Sequence, residues 1–228
     1  MKTTDSQRRG RARRRILILD DHPITRYGLS QLINHERDLV VCGEMESASQ
    51  ALAAIKPARP DLVLADITMP GKSGLEFIKD LQSQHPGVPV LVMSMHDESL
   101  YAERVLRAGG RGYIMKNEGG ERLLEAIRHV LQGQVYVSKH VSAALLDVLT
   151  RHRPAAREGT PSVLSDREFE VFQLIGQGLS AQEIAQRLNL SIKTVGTHRQ
   201  HIKQKLKART APELIRLAVR WAAAQQLV

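Results

Sequence analysis

The sequence predicts two domains of different class. An α/β domain on a doubly wound five-stranded parallel sheet of order 2-1-3-4-5 comes first, and a small all-α domain follows it. Between residues 15 and 135, short aliphatic runs alternate five times with amphipathic stretches, and each connection has the length of a crossover helix. A charged segment with Pro and Gly, residues 151–162, then offers little to pack. Beyond it the apolar residues recur only at helical spacing, behind two Ser-x-x-Glu signatures of helix starts.

Ile16-Leu17-Ile18-Leu19 is a continuous apolar run, as expected of a central strand covered on both faces. Pro23 opens the next helix, whose apolar set is Ile24, Tyr27, Leu29, Leu32 and Ile33. Residues 39–43 read as strand two, and Ser47-x-x-Gln50 starts helix two. Residues 62–66 form strand three, followed by a Pro70-Gly71 turn and a helix from Gly74 that ends before Pro86. Strand four spans 88–93 with Ser94 at its end, and helix four spans 100–108. Strand five is Gly112-Tyr113-Ile114-Met115 with Lys116 at its end, and helix five spans 121–131. Right-handed crossovers then set strands one and three side by side.

Residues 141–148 look helical and run into the linker. After it, Ser165-x-x-Glu168 caps a helix with Phe169, Phe172, Leu174 and Ile175 inward, and Gly176-Gln177-Gly178 ends it. Ser180-x-x-Glu183 caps a second helix with Ile184, Ala185 and Leu188 inward. Asn189-Leu190-Ser191 turns into a third with Val195, Ile202 and Leu206 inward, and residues 211–224 form a last helix carrying Leu214, Ile215, Leu217, Ala218 and Trp221. The expected division is a basic tail (1–14), an α/β domain (15–135), a linker (136–162) and a helical domain (163–228).

The formal charge of +9 is unevenly placed. Residues 1–15 carry seven basic groups against Asp5, residues 16–150 carry 13 basic and 17 acidic, and residues 151–228 carry 13 basic and six acidic. A localised positive field of this kind attracts nucleic acid. The single Cys42 excludes an internal disulfide. No apolar run approaches the ~18 residues of a membrane span, and the basic start lacks the apolar stretch of a signal peptide. The expectation is a cytoplasmic protein with no membrane partner.

In an open parallel sheet, chemistry gathers at the C-terminal ends of the strands. The predicted order brings Asp20, Asp21 and Asp66 together there, with Ser94 and Lys116 alongside. Three adjacent carboxylates repel one another unless a cation compensates them, and an oxygen-only set favours Mg2+. Such a site can take a phosphoryl group on Asp66, with Lys116 pairing with the phosphoryl oxygens and Ser94 donating to another. In the helical domain the third helix carries Lys193, Arg199 and Lys203 outward, with Lys205 and Lys207 near its end. That is a basic face able to meet DNA phosphates in the major groove.

Residues 15–135 resemble the flavodoxin-like receiver domain of bacterial two-component response regulators, through Asp20-Asp21, Asp66-x-x-Met69-Pro70-Gly71, Ser94 and Gly112-Tyr113-Ile114-Met115-Lys116. Residues 163–225 resemble the LuxR-type helix-turn-helix domain, through Leu164-Ser165-Asp166-Arg167-Glu168, Gly178, Ser180, Glu183-Ile184-Ala185, Leu190-Ser191 and Lys193-Thr194-Val195-x-x-His198. Together these features are similar to the NarL/FixJ family. The resemblance implies phosphorylation of Asp66 by a histidine kinase or a small phosphodonor, and Mg2+ held by Asp20, Asp21, Asp66 and the Ile67 carbonyl. It implies a switch pair in Ser94 and Tyr113, and residues tuning dephosphorylation in Thr68 and His96. On the DNA side it implies Lys193, Thr194, Gly196, Thr197, Arg199, Gln200 and Lys203, binding as a homodimer to paired half-sites of double-stranded DNA, with RNA polymerase as a further partner. Gly196 departs from the family pattern, where a side chain such as Glu is usual.

Other readings compete. The α/β domain could serve only for dimerisation in a DNA-binding protein indifferent to phosphorylation. A phosphatase with an Asp nucleophile needs a second Asp two residues on, where this chain has Thr68. A nucleotide-binding protein needs a Gly-rich loop after strand one, where this chain has Asp20-Asp21-His22-Pro23.

Overall fold

A computed structural model describes residues 12–69, 71–143 and 161–226. The basic tail up to residue 11, Pro70, most of the expected helix at 141–148, and linker residues 144–160 lie outside the described residues.

Five strands, β1 (Arg14–Leu19), β2 (Leu39–Met45), β3 (Leu62–Asp66), β4 (Val90–Ser94) and β5 (Gly112–Met115), pair in parallel in the order β2-β1-β3-β4-β5. Alternate side chains of each strand feed opposite faces. Ile16, Ile18, Leu62, Leu64 and Leu91 pack under α1 (Pro23–His35) and α5 (Gly120–Leu131). Leu17, Leu19, Val63, Ala65 and Val92 pack under α2 (Ala48–Ala58), α3 (Gly74–Gln84) and α4 (Glu98–Arg107). With both faces covered, β3 and β4 are buried throughout, which explains their unbroken aliphatic sequence.

Two expectations shift. Ile24 and Tyr27 on α1 are 87% and 67% exposed. At about 100° per residue, Tyr27 lies roughly 200° from the buried Leu29 and so faces away. Strand four starts at Val90 instead of Val88, and Pro89 ahead of it has no N–H to give the ladder. After α5 the chain returns to the sheet: Tyr136 bridges Gly112, Tyr113 donates its N–H to the Tyr136 carbonyl at 2.8 Å, and Val141 is buried.

The second unit consists of α6 (Asp166–Gly176), α7 (Ala181–Leu188), α8 (Ile192–Lys205) and α9 (Ala211–Gln226). Both expected capping boxes form, at Ser165/Glu168 and Ser180/Glu183, and Ser191 caps α8. A third box, Ser73/Glu76, starts α3. Phe169, Phe172, Ile184, Val195, Ile202 and Leu214 fill the core, while Ile215 on α9 is 40% exposed. No helix among the described residues is long and apolar enough to cross a membrane.

The two units share a seam. The Arg104 guanidinium of α4 lies 4.1 Å over the Phe169 ring, donates to the carbonyls of Pro161 and Leu164 at 2.9 and 3.0 Å, and pairs with Asp166 at 3.1 Å. Lys79 of α3 reaches Asp166 at 2.6 Å, and Arg167 donates to the Gly71 carbonyl at 2.9 Å.

Gly74 controls how α3 leaves the end of β3. Its N–H donates to the Ile67 carbonyl at 2.9 Å, and an added Cβ would lie 2.6 Å from the Asp66 carbonyl oxygen and the Ile67 Cα. Both are backbone atoms that cannot swing aside. Gly74→Ala should therefore lower unfolding stability by about 1–3 kcal/mol, as overpacking does, read from urea denaturation of the full chain.

Candidate functional site

Register places the site. Leu19 pairs with Ala65, so the next residues, Asp20 and Asp66, emerge side by side; Ser94 and Lys116 follow in the same way on β4 and β5. Asp20 and Asp66 are 1% and 4% exposed. Lys116 Nζ lies 2.7 Å from Oδ2 of each. The Thr68 N–H donates to Asp66 Oδ1 at 3.1 Å, and Arg26 donates to the Asp20 carbonyl at 2.6 Å.

Burial raises the Asp66 pKa, and the hydrogen bond from Lys116 only partly offsets it. Burial also opposes the charge on Lys116, but its bonds to Asp20 and Asp66 outweigh that and raise its pKa. One ammonium thus serves two buried carboxylates, with Asp21 beside them. Asp20, Asp21, His22 and Asp66 each offer a ligand atom within 4.8 Å of the others. Asp21 Oδ1 has no hydrogen-bond partner; His22 Nδ1 lies 2.9 Å away but out of alignment. An oxygen-rich, over-anionic pocket with an unsatisfied buried oxygen fits a hard divalent cation such as Mg2+. The Ile67 carbonyl, expected to complete the oxygen set, commits a lone pair to Gly74 at the start of α3.

Sequence reasoning missed His22, whose N–H donates to Asp20 Oδ1 at 2.8 Å. Its place directly after the Asp pair was the available signal. Ser94 and Tyr113 are buried and meet at one residue: the His96 N–H donates to Ser94 Oγ at 3.1 Å, and Tyr113 Oη donates to the His96 carbonyl at 2.7 Å. Thr68 Oγ1 and His96 Nε2 are 2.9 Å apart.

On α8, Lys193, Thr197 and Gln200 are exposed, and Thr194, Gly196, Arg199 and Lys203 are half-buried. Thr194 also serves the cap, 2.8 Å from Ser191 Oγ. A Cβ added at Gly196 would meet nothing within 4 Å, so the missing side chain leaves open space on that face. Lys205, expected at DNA phosphates, is instead held by Glu168 at 2.6 Å within the helical unit.

The sequence matches the family described as "Response regulator receiver domain" over residues 16–128, and "Bacterial regulatory proteins, luxR family" over residues 162–218. It is 36% identical over 210 residues to oxygen regulatory protein NreC of Staphylococcus aureus (strain bovine RF122 / ET3-1), covering 90% of this chain and 97% of that one. The NreC of Staphylococcus haemolyticus is 34% identical with the same coverage. The chain belongs to the NarL/FixJ family of two-component response regulators. The solved structure of RcsB from Salmonella enterica serovar Typhimurium, bound to promoter rprA with the phosphomimetic BeF3−, is similar at 25% identity and TM-score 0.61. That likeness covers 90% of this chain and 97% of that one. The regulator couples a receiver domain to a LuxR-type DNA-binding domain.

The Asp66 shift has a definite sign. Its folded pKa lies above the ordinary 3.8, so the folded state binds more protons than the unfolded chain above that pH. Its contribution to stability falls as pH rises through this window and is a net cost at neutral pH. The stability of metal-free Asp66→Asn relative to the parent should therefore increase as pH rises from 4 to 7, measured by thermal melting. Mg2+ should raise the melting temperature of the parent, with about 2.7 kcal/mol gained at a hundredfold excess over Kd, and should lose this effect in Asp20→Ala.

Proposed function

We propose that Asp66 is the phosphoacceptor, taking its phosphoryl group from a histidine kinase or a small phosphodonor. The observation that carries this is Lys116 Nζ at 2.7 Å from both Asp20 and Asp66 in a buried, over-anionic pocket at the strand ends. Asp66 attacks phosphorus in line; the bond from phosphorus to the donor breaks as the bond to the carboxylate oxygen forms. Lys116 then moves from carboxylate to phosphoryl oxygens, with the Thr68 N–H and Ser94 hydroxyl as further donors. Asp20, Asp21 and Asp66 would hold Mg2+, which when bound supplies neutralisation of the incoming charge.

The receiver is assigned to residues 15–135 and the DNA-binding domain to 163–228, joined through 136–162. In the second, α8 enters the major groove. Thr197 and Gln200 are placed for base edges, and Lys193, Arg199 and Lys203 for phosphates. Exposed Ile215 and Val219 on α9 give an apolar patch for an isologous homodimer on paired half-sites. The RcsB–promoter complex supports the DNA assignment for this architecture. The output is control of transcription in the cytoplasm, with RNA polymerase as the downstream partner and no membrane association. The protein acts as a signalling switch and not as a classical enzyme.

Asp66→Asn should abolish phosphoryl incorporation from acetyl phosphate in the presence of Mg2+; stoichiometric labelling of that variant would refute the assignment. Lys203→Ala should weaken binding to all DNA sequences alike and lower the slope of log Kd against log salt by about one, read by fluorescence anisotropy.

A further inference from the structure

Nothing in the protein itself asks for glycine at position 196. It lies inside α8 with helical backbone and no positive φ, and a Cβ there would meet nothing within 4 Å. The contrast is Gly176 of α6, where a Cβ would come within 2.6 Å of the Ala218 carbonyl oxygen of α9. A glycine inside a helix destabilises it relative to alanine. Gly196 therefore weakens α8 without easing any packing.

Its consequence is felt one turn earlier. On a helix a side chain leans toward the N-terminus and covers the residue four positions before it. With no side chain at 196, Ile192 is left 57% exposed, while Val195 and Ile202, the other apolar residues of α8, are fully buried. A hollow of about 280 Å3 opens there, lined by the apolar Ile192, Gly196, Ala211 and Leu214 and by the cations Arg199 and Lys203. Gln200, one turn beyond Gly196, borders the same hollow. It is exposed, and its amide has no hydrogen-bond partner among the described residues. An apolar hollow beside two cations suits an apolar group carried on a polyanion. Of the groups that base edges show in the major groove, the thymine 5-methyl is the apolar one, and a free amide matches adenine N6 and N7.

We propose that Gly196 and Ile192 form a socket for a thymine methyl, and that Gln200 reads an adenine beside it. The inference rests on α8 entering the major groove. Positions 196 and 200 are about 6 Å apart along the helix, and base pairs rise by about 3.4 Å. The thymine and the adenine therefore lie within two base pairs of each other. Arg199 and Lys203, on the same side of the helix, take the flanking phosphates and hold the socket against the bases. A longer side chain at 196 would fill the socket and cover Ile192.

The test starts from duplexes that the full-length protein enriches from a random pool. Each thymine of the enriched site is then replaced singly by deoxyuridine, which removes only the 5-methyl, and binding is followed by fluorescence anisotropy. For the parent, this change at one thymine in each half-site should weaken binding roughly fourfold, the factor one buried methyl carries. Gly196→Gln, which adds a helix-favouring side chain into open space, should lose that penalty. Ile192→Ala should reduce it. Gln200→Ala should keep the methyl penalty and lose the preference for adenine within two base pairs of that thymine. No deoxyuridine penalty in the parent overturns the proposal, as does a penalty undiminished in both Gly196→Gln and Ile192→Ala. A pool from which no duplex is enriched removes the major-groove reading as well. Selective binding that is indifferent to the methyl removes the socket alone.

Discussion

The receiver depends on a single electrostatic arrangement, the Lys116 ammonium shared between two carboxylates that the sheet has buried. Asp20 and Asp66 are brought together by the pairing of β1 with β3, so their proximity is a consequence of strand order and register. Buried like charges are costly without a counter-ion. Lys116 supplies one positive charge, at 2.7 Å from each, and leaves the set over-anionic. That residual imbalance is what makes the site receptive to a divalent cation, while burial holds the Asp66 pKa above its ordinary value.

The packing around this cluster leaves little freedom. Gly74 lets α3 start against the backbone of Asp66 and Ile67, and the Ser73/Glu76 box holds that start in place. On the opposite side the His96 backbone donates to Ser94 Oγ and accepts from the Tyr113 hydroxyl. Beyond the His96 turn lies α4. That helix carries Tyr101, which donates to Gln173, and Arg104, which lies over Phe169 and bonds Leu164 and Asp166 of the DNA-binding domain.

Much of the fold was legible because central parallel strands need uninterrupted aliphatic sequence and helix starts need specific caps. The runs at Ile16–Leu19 and Leu62–Asp66 and the boxes at Ser165 and Ser180 carry those demands in a few adjacent residues. The misplacement of Ile24 and Tyr27 came from counting apolar residues without their angle around the helix. Lys205 shows a different gap: its basic character suggested DNA phosphate, but only the fold brings Glu168, 37 residues earlier, within 2.6 Å of it. His22 was overlooked because its role depends on the turn that brings its N–H back to Asp20.

By itself the sequence determined the two domain types, the strand order, the carboxylates at the strand ends with their basic neighbour, and the outward face of α8. The domain types, strand order and helix faces rest on local periodicity and short motifs, and the cluster follows because that strand order brings Asp20, Asp66 and Lys116 to one edge of the sheet. Tertiary structure alone decided where the two domains touch. Tyr101 and Gln173 are 72 residues apart, and Arg104 meets Pro161 of the linker as well as Leu164 and Asp166 of the other domain. No periodicity encodes such contacts, because they arise only when two independently patterned surfaces are pressed together.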